Sequence, residues 1–302
     1  MSKVVVTGGA GFIGSNLCEA LVQKGYDVVA YDNFFLGKPE NLKGINVKTI
    51  RGDILEFDKL NKACKGAVCI FNQAAASSSP MFIQDLKHAY AINIEGFINV
   101  LEAARKNNSS VVYASTSSVY GNKNELLRED MRIIPPNFYA ASKLANEHLA
   151  MLFASQYSIR ITGLRYMSVY GPHEKTKGIY ANLVSQFLWD MQKDKAPVIY
   201  GNGKQTRDFT YVKDVAKANI LAMESGIKSD IFNVGTGISH SLVDLIRILN
   251  KILGKNIKPQ FIEIPVKNYI SEQNADTRKA GKILGFKAQY SLEQGIREIL
   301  TT

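Results

Sequence analysis

Cysteine, histidine and tryptophan are scarce in this sequence of 302 residues, which contains three cysteines, four histidines and one tryptophan. Cys18, Cys64 and Cys69 are an odd number without the paired spacing of a zinc site, which argues against a disulfide framework and a structural metal. The histidines show no ligand spacing such as His-Glu-x-x-His. The sequence therefore predicts a protein without a metal ion.

Long apolar runs and clustered charges are also missing. No stretch approaches the roughly 18 apolar residues of a membrane span, and Met1-Ser2-Lys3 leads directly into a strand-like valine run rather than a signal peptide. We therefore expect a cytoplasmic protein with no membrane partner. The formal net charge is +10, but Lys and Arg are dispersed, which argues against nucleic-acid binding. A basic balance also suits a phosphorylated small substrate or a solvated surface.

The first half of the sequence alternates apolar, β-branched runs with segments of helical periodicity. This alternation is typical of βαβ units and predicts an α/β fold with a doubly wound parallel sheet of the Rossmann type. The predicted strands are residues 3–7, 27–31, 46–50, 67–72, 110–115 and 159–165. The predicted helices are residues 12–24, 56–65, 80–106 and 137–157.

From about residue 167 the predicted elements become shorter, with loops that contain Gly and Pro between them. Helices are expected at residues 178–193, 213–225, 241–253 and 291–300. We expect residues 1–166 to form the dinucleotide-binding domain and residues 167–302 to form a smaller C-terminal α/β lobe that binds the substrate over the carboxyl ends of the strands. Segments near residues 210–237 are expected to return to the first domain.

A glycine-rich turn joins the first predicted strand to the first predicted helix. Gly8, Gly11 and Gly14 have the spacing that permits a tight turn, close approach of the backbone to a pyrophosphate, and packing of helix against strand. Phosphate charge would lie at the N-terminus of the helix. Glycine turns occur in many loops, but this placement between strand and helix predicts a dinucleotide site.

Asp32 ends the second predicted strand, 18 residues after Gly14. A carboxylate there can accept hydrogen bonds from the adenosine ribose and would repel a 2′-phosphate, which favours NAD over NADP. The alternative is a turn at Asp32-Asn33 with no role in binding. Asp53, at the end of the third strand, is predicted to contact the adenine, and a turn role is nearly as well supported.

Tyr139 and Lys143 are four residues apart and would share one face of a helix. An ammonium near the phenol would lower the pKa of the tyrosine from its usual value of about 10 and make it a proton-transfer group. The strand at 110–115 delivers Thr116 to the carboxyl edge of the sheet, where its hydroxyl can hold a substrate alcohol. A serine-rich strand end alone would indicate only a polar turn, but the three signals together predict a hydride-transfer site.

At these residues the chain resembles the extended short-chain dehydrogenase/reductase family, in its nucleotide-sugar epimerase and dehydratase branch. The resemblance runs nearly end to end. It rests on TGGAGFIG at 7–14, YDN at 31–33, RGDI at 51–54, NQAAASSSP at 72–80, NIEGFINVLEAAR at 93–105, STSSVYG at 115–121, YAASK at 139–143, LRYMSVYGP at 164–172, GKQTRDFTYVKDV at 203–215, FNVGTG at 232–237 and ADTRKAGKILG at 275–285.

The resemblance implies that Thr116 holds the sugar hydroxyl, that Tyr139 is the general base and acid, and that Lys143 binds the nicotinamide ribose. The NAD-binding residues implied are Gly8, Gly11, Phe12, Ile13, Gly14, Asp32, Asn33, Asp53, Ile54, Gln73, Ala74, Ala75, Asn93, Ser115, Tyr139, Lys143, Tyr166 and Ser168. The substrate-binding residues implied are Ser78, Thr116, Ser117, Tyr139, Ser168, Asn182, Arg207, Gln273 and Asp276. Helices 80–106 and 137–157 would form a homodimer interface, although periodicity alone predicts core helices.

Two positions narrow the reaction. Family dehydratases carry Asp-Glu directly after the catalytic threonine, and the related decarboxylases keep the Glu, whereas this chain has Ser117 and Ser118. Without a carboxylate there, a 4-keto intermediate would take the hydride back on its other face, which predicts a 4-epimerase of a nucleotide-diphosphate sugar, with a UDP-hexose or its N-acetyl or uronic acid form favoured. The alternatives are another nucleotide-sugar oxidoreductase, an epimerase acting at another carbon, and a non-catalytic NAD-sensing module.

The chain departs from the family pattern at three places. Gln73 stands where the family usually has His, and Ser168 stands where it usually has Asn. A second pyrophosphate arginine is replaced by Val266, next to Lys267, which could supply a charge instead. Arg207 remains to grip the diphosphate with its planar fork, unless it forms only a surface ion pair with Asp208.

Overall fold

The computed structural model describes residues 1–123, 125–264 and 270–301. Its centre is a parallel seven-stranded sheet with the strand order β11-β6-β5-β4-β1-β2-β3. The strands of the described residues are β1 Lys3–Thr7, β2 Asp27–Asp32, β3 Lys48–Arg51, β4 Ala67–Asn72, β5 Ser110–Thr116, β6 Ile161–Tyr166, β7 Ser168–Tyr170, β8 Val198–Tyr200, β9 Thr206–Arg207, β10 Phe209–Tyr211, β11 Ser229–Val234, β12 His240–Ser241 and β13 Gln260–Ile262.

Helices cover both faces of this sheet. The α-helices of the described residues are α1 Phe12–Gln23, α2 Phe57–Cys64, α3 Ser79–Gln84, α4 Leu86–Tyr90, α5 Gly96–Asn107, α6 Phe138–Tyr157, α7 Leu183–Gln192, α8 Val212–Glu224, α9 Leu242–Leu253, α10 Arg278–Leu284 and α11 Leu292–Thr301. Of these, α7, α9 and α11 belong to a separate apolar core. A π-helical turn, Ala91–Glu95, joins α4 to α5, and short 3₁₀ helices occur at Pro39–Leu42, Ser117–Tyr120 and Glu174–Tyr180.

Except for the exposed edge strand β3, the sheet is largely buried on both faces, so its inner strands are apolar without alternation. Leu17 of α1 and Val215 of α8 pack in the core on one face, and Leu60 of α2 and Phe97 of α5 pack in the core on the other. The strand order reverses between β4 and β1, because the chain builds outward from β1 in both directions. The carboxyl ends of the strands at such a reversal form a crevice that binds ligands in open α/β sheets. The predicted fold is confirmed.

The main error of the sequence analysis in this region is the single helix predicted at 80–106. The structure divides it into α3, α4, the π-helical turn and α5. Asp85 has extended backbone angles, and its side chain accepts a hydrogen bond from the backbone N–H of His88. Asp85 therefore ends α3 and caps α4, although the apolar periodicity continues through the break.

The C-terminal lobe is assembled from three two-stranded pairs, β7 with β10, β9 with β12, and β8 with β13. Its apolar core joins α7, α9 and α11 through Phe187, Leu245 and Ile296. The helix predicted at 178–193 begins only at Leu183, because Asn182 caps α7 by accepting from the backbone N–H of Val184. β11 pairs with β6 in the central sheet, and the domain boundary at residue 166 stays a prediction.

Candidate active site

The glycine-rich turn forms one wall of a cavity at the carboxyl ends of β1 and β2. This cavity, called here the cofactor cavity, is lined by Gly8, Gly11, Phe12, Ile13, Gly14, Asp32, Asn33, Asp53, Ile54, Gln73, Ala74 and Ala75 among others. A Cβ atom at Gly14 would meet the Gly8 carbonyl oxygen at 2.0 Å, so this position requires glycine. Gly8 has a positive φ of 65°. The fold of the turn thus depends on these glycines.

The N-terminus of α1 opens into the cofactor cavity. Within the described residues no side chain caps this helix, which begins at Phe12 directly after Gly11. The first N–H groups of a helix lack intrahelical partners, and the helix dipole favours negative charge there. The cradle therefore fits the pyrophosphate of a dinucleotide.

Asp32 closes a turn and also faces the cofactor cavity, and its contact with the adenosine ribose stays a prediction. Its Oδ2 accepts from the Ala10 N–H at 2.9 Å, and its Oδ1 accepts from the Phe34 N–H at 2.7 Å, which closes a turn two residues long. The side chain also lines the cofactor cavity. Burial raises the pKa of Asp32, and the backbone N–H groups of Phe34, Ala10 and Gly11 oppose that rise. Each carboxylate oxygen keeps a lone pair for a ribose hydroxyl.

Asn33 and Asp53 form the next part of the cavity wall. The Asn33 amide donates to Asp53 Oδ2 at 2.7 Å, and Asp53 Oδ1 accepts from the Leu55 N–H at 2.9 Å. Asp53 therefore closes a turn and lines the cavity at the same time. Ile54 contributes the apolar surface beside it.

Gln73, the residue that replaces the family's usual histidine, is held by two polar side chains. Its Nε2 lies 3.1 Å from the Tyr166 hydroxyl and 3.1 Å from Asn219 Oδ1. Asn219 in turn donates to the Tyr166 hydroxyl at 2.8 Å. This cluster fixes the loop that carries Ala74 and Ala75. Asn219 could not be identified from the sequence, because it lies inside the regular helix α8 with no motif around it.

Two of the residues implied for NAD binding have other contacts in the structure. Asn93 is buried and bonds to both backbone groups of Ala76 and to the Ser142 hydroxyl. The Ser115 hydroxyl donates to Glu147 Oε1 at 2.5 Å, and Glu147 forms a buried, bidentate ion pair with Arg165. Glu147 lies on α6 and Arg165 on β6, so this pair anchors the helix that carries Tyr139 and Lys143.

Thr116, Tyr139 and Lys143 meet in a second cavity, called here the substrate cavity, which shares Phe12, Ile13 and Gln73 with the cofactor cavity. Thr116 is 6% exposed and caps a 3₁₀ turn by accepting from the Ser118 N–H at 3.1 Å. Tyr139 packs edge-on against Phe82. Lys143 is 3% exposed and donates from Nζ to the Ala114 carbonyl at 3.0 Å.

The predicted lowering of the Tyr139 pKa by Lys143 is wrong for the protein alone. Burial raises the pKa of Tyr139, and a hydrogen bond with the Thr116 side chain lowers it by less. Burial also lowers the pKa of Lys143 to about 8. The physical reason is that desolvation penalises both charged forms, while the Lys143 ammonium is directed at a backbone carbonyl. Ionisation of Tyr139 therefore needs additional positive charge in the cavity.

Polar side chains line the substrate cavity around this group. The Ser117 hydroxyl accepts from Gln273 Nε2 at 2.7 Å, and the Ser168 hydroxyl donates to Gln273 Oε1 at 2.9 Å. Gln273 thus joins the residue after Thr116 to β7. The Ser78 hydroxyl also lines the cavity, and it is buried without a hydrogen-bond partner among the described residues. Buried hydroxyls usually have a hydrogen-bond partner, and the predicted contact of Ser78 with the substrate stays a prediction.

Of the remaining predicted substrate residues, the structure brings some to the substrate cavity and not others. Asn182 and Arg207 line the substrate cavity. Arg207 donates to the carbonyls of Thr206 and Ile270, while the buried carboxylate of Asp208 accepts from Thr236, Gly237 and Ala275. Asp276 forms a forked ion pair with Arg278, and it is absent from the described residues that line either cavity. Val266 and Lys267 lie outside the described residues.

The choice of dinucleotide tests the role of Asp32. NADP should bind at least tenfold more weakly than NAD, equivalent to about 1.4 kcal/mol, because the 2′-phosphate would meet the buried carboxylate. Asp32→Asn should narrow this difference, since it removes the charge and keeps the shape. Asp53→Asn is the matched control on the same cavity and should leave the ratio of dissociation constants unchanged within about threefold. Equal affinities of the natural protein for NAD and NADP would refute the assignment.

Across the part of the chain that the structure describes, no group of His, Cys, Asp and Glu side chains could hold a metal ion. Over the same residues, no helix has both the length and the apolar character needed to cross a membrane.

The chain as a whole is similar to proteins of known activity. A model of the NAD dependent epimerase/dehydratase family matches residues 4–235. The solved UDP-N-acetylglucosamine 4-epimerase of Methanobrevibacter ruminantium, in complex with UDP-N-acetylmuramic acid, is 34% identical, with a TM-score of 0.93 over 99% of this chain and 97% of that one. The solved UDP-glucuronic acid 4-epimerase of Bacillus cereus, in complex with UDP-glucuronic acid and NAD, is 32% identical, with a TM-score of 0.90 over 99% and 98% of the two chains.

A relative with a different activity is similar to nearly the same extent. The UDP-N-acetyl-alpha-D-glucosaminuronate decarboxylase of Bacillus cytotoxicus is 31% identical over 99% of this chain and 96% of the relative. Overall similarity therefore does not separate epimerisation from decarboxylation, and the residues of the site have to do so.

Proposed function

Because the chain belongs to the NAD dependent epimerase/dehydratase family, we propose that it is an NAD-dependent 4-epimerase of a UDP-sugar. The observation that carries this proposal is the substrate cavity itself. Thr116, Tyr139 and Lys143 converge there, and hydroxyl groups stand where the family's dehydratases and decarboxylases have carboxylates. Glu174 is the only carboxylate among the described lining residues, and Asn182 N–H and the Ser185 hydroxyl already occupy its two oxygens.

The residues of the chain supply the proton chemistry and the positioning. The Thr116 hydroxyl orients the sugar O4, and Tyr139 accepts the O4 proton as the alcohol becomes a ketone. Bound NAD would supply the hydride chemistry at C4. Lys143 would hold the nicotinamide ribose. After the keto sugar turns over, Tyr139 gives the proton back, so one proton and one hydride leave and return and the mass of the sugar is conserved.

Ser117 and Ser118 decide against the competing reactions of the 4-keto sugar. Loss of water from C5 and C6 needs an acid and a base beside the sugar, and serine hydroxyls are poor at both because they do not titrate near neutral pH. Gln273 moreover donates to the Ser117 hydroxyl and so fixes its orientation. A module that only binds NAD would have no use for the intact set of Thr116, Tyr139 and Lys143.

The products formed from a panel of nucleotide sugars test the proposed function. Incubation with UDP-glucose, UDP-N-acetylglucosamine and UDP-glucuronic acid, and with dTDP-, GDP- and ADP-sugars, should yield the C4 epimer of a UDP-sugar with unchanged mass. NMR and mass spectrometry of the products distinguish the outcomes. A 4-keto-6-deoxy sugar or released carbon dioxide as the main product would overturn the epimerase assignment, and steady accumulation of free NADH would indicate a net oxidoreductase.

The homodimer and the cytoplasmic location belong to the same proposal. Several large apolar side chains are exposed on α3 and α6, including Ile83, Phe138, Met151 and Leu152, which supports an interface between two copies of this helix pair. The free cysteines Cys18, Cys64 and Cys69 are buried, as suits a reducing compartment. Light scattering of the purified protein should give the mass of a dimer.

A further inference from the structure

A half-buried lysine, Lys177, lies where the cofactor cavity and the substrate cavity meet. It lines both of them, as do Phe12 and Ile13 at the start of α1. Lys177 belongs to the 3₁₀ helix Glu174–Tyr180, which precedes α7. Nothing in the motifs of the sequence marks this residue. Its position between the two ligand sites therefore needs a physical explanation.

The ammonium group of Lys177 has few partners of its own. Its side chain is 21% exposed, and its Nζ lies 4.0 Å from Glu174 Oε1 and 5.7 Å from the centre of the Phe12 ring. Among the described residues, no acceptor lies within hydrogen-bond distance of this Nζ. A lysine head group has three N–H donors and is strongly hydrated, so its removal from water is costly without an anion to receive them. The Lys177 ammonium could therefore donate hydrogen bonds to an anionic ligand.

Neutralisation of Glu174 does not by itself account for Lys177. Glu174 is 1% exposed, and its oxygens accept from the Asn182 N–H at 2.6 Å and from the Ser185 hydroxyl at 2.5 Å. These short contacts join the 3₁₀ helix to the start of α7. The 4.0 Å separation from Lys177 is long for an ion pair, so Glu174 orients the lysine without saturating it.

Negative charge is expected on both sides of Lys177. On the cofactor side, α1 begins at Phe12 without a side-chain cap among the described residues, and its free N–H groups fit a pyrophosphate. On the substrate side, Arg207 lines the same cavity as Lys177. The two ligands would bring their phosphates from opposite directions to one junction.

We propose that Lys177 binds a pyrophosphate oxygen at this junction and that Glu174 is the residue that positions it. The pyrophosphate belongs either to the dinucleotide or, if the proposed function is right, to the UDP-sugar. Lys177 thereby offers a positive charge to a pyrophosphate. Its position in the sequence is not that of the family's second arginine, which Val266 replaces.

Binding measurements on Lys177→Met show whether Lys177 binds the pyrophosphate of NAD or that of the UDP-sugar. Isothermal titration should show the dissociation constant of NAD, or that of UDP on the NAD-loaded protein, rising about tenfold or more. Uridine, which lacks phosphate, should lose no affinity. Lys175→Met is the matched control, because Lys175 is exposed on the same turn, and both constants should then stay within about twofold. Unchanged affinities for NAD and UDP in Lys177→Met would overturn the proposal.

The failure of the proposed function would look different. If neither UDP nor any UDP-sugar binds the natural protein, the substrate assignment falls, while the NAD titration still tests Lys177. A weaker NAD affinity in Lys177→Met then supports the junction role on the cofactor side, and an unchanged NAD affinity overturns it.

A double variant guards against a purely structural explanation. Lys177→Met leaves Glu174 buried beside an apolar side chain and should lower the melting temperature. Glu174→Gln combined with Lys177→Met should restore the melting temperature, because no buried charge remains, and the affinity for the anion should stay low. Recovery of that affinity in the double variant would show that Lys177 serves only to neutralise Glu174, which would overturn the proposal.

Discussion

Replacing Tyr139 by phenylalanine should lower the turnover number by about 10²- to 10⁴-fold, the range typical of a lost proton-transfer group. The substitution removes only the hydroxyl from a ring that packs against Phe82, so the fold and the bound NAD should persist. Steady-state kinetics with the best UDP-sugar, together with the NAD content of the purified variant, measures both parts of the prediction. Thr116→Val should lose less activity, since Thr116 orients the substrate and transfers no proton.

Tyr157→Phe provides the matched control for this experiment. Tyr157 ends the same helix, α6, but its side chain is exposed and remote from both cavities. Its loss should leave the turnover number unchanged within about twofold. A Tyr139→Phe protein that keeps more than about a tenth of the natural activity would mean that another group is the base.

Replacing Arg207 by alanine should raise the KM for the nucleotide sugar by about 10- to 150-fold. Charge-assisted hydrogen bonds to a diphosphate contribute roughly 1.5–3 kcal/mol, and Arg207 is the guanidinium among the described residues that line the substrate cavity. Arg207→Lys should recover only part of this loss, because a point charge cannot make the forked contact. Initial-rate kinetics over a range of substrate concentrations measures the effect.

Arg278→Ala is the control for the loss of a guanidinium in the same lobe. Arg278 is largely exposed and pairs with Asp276, away from the substrate cavity, so its KM should match that of the natural protein. Arg207 also holds the carbonyls of Thr206 and Ile270, and the melting temperature of Arg207→Ala therefore has to be measured beside its kinetics. An unchanged KM in Arg207→Ala would place the diphosphate elsewhere or exclude a nucleotide-diphosphate substrate.

The sheet could be predicted from the sequence because its strands are apolar on both faces. Runs such as the one around Val5 cannot belong to a half-exposed strand, and the runs of β1 and β4 are followed by segments of helical periodicity. The break at Asp85 could not be predicted in the same way. The Asp85 side chain causes the break, because it accepts a hydrogen bond from the His88 N–H. The apolar pattern of the surrounding helices does not change at this point.

The convergence of Thr116, Tyr139 and Lys143 in one cavity could be predicted from the sequence, but the electrostatics of these residues could not. Spacing places Tyr139 and Lys143 on one face of a helix, and the structure brings both to the substrate cavity. Which way the Lys143 ammonium points depends on the carbonyl of Ala114, a partner from another strand. Desolvation likewise depends on the packed structure, so the direction of the Tyr139 pKa shift is a property of the fold and not of the spacing.

Lys177 and the Glu147–Arg165 pair show a second limit of the sequence. The Glu147–Arg165 pair joins a helix to a strand, and Lys177 lies over the distant Phe12 ring, so both contacts arise only after folding. Charged residues are common on helix surfaces. The residues adjacent in the sequence therefore do not show whether a charged side chain is buried or exposed.

The position of β11 in the sheet affects how the protein folds during its synthesis on the ribosome. β6 is complete at Tyr166, but its outer neighbour, β11, begins only at Ser229. α1, near the N-terminus, packs against α8 in the second half of the chain. Until residues 212–234 have been synthesised, the nascent chain therefore has an unpaired edge at β6 and an uncovered face on α1, and both favour aggregation. For the same reason, a fragment ending at residue 166 should be insoluble, because the two halves complete one sheet together.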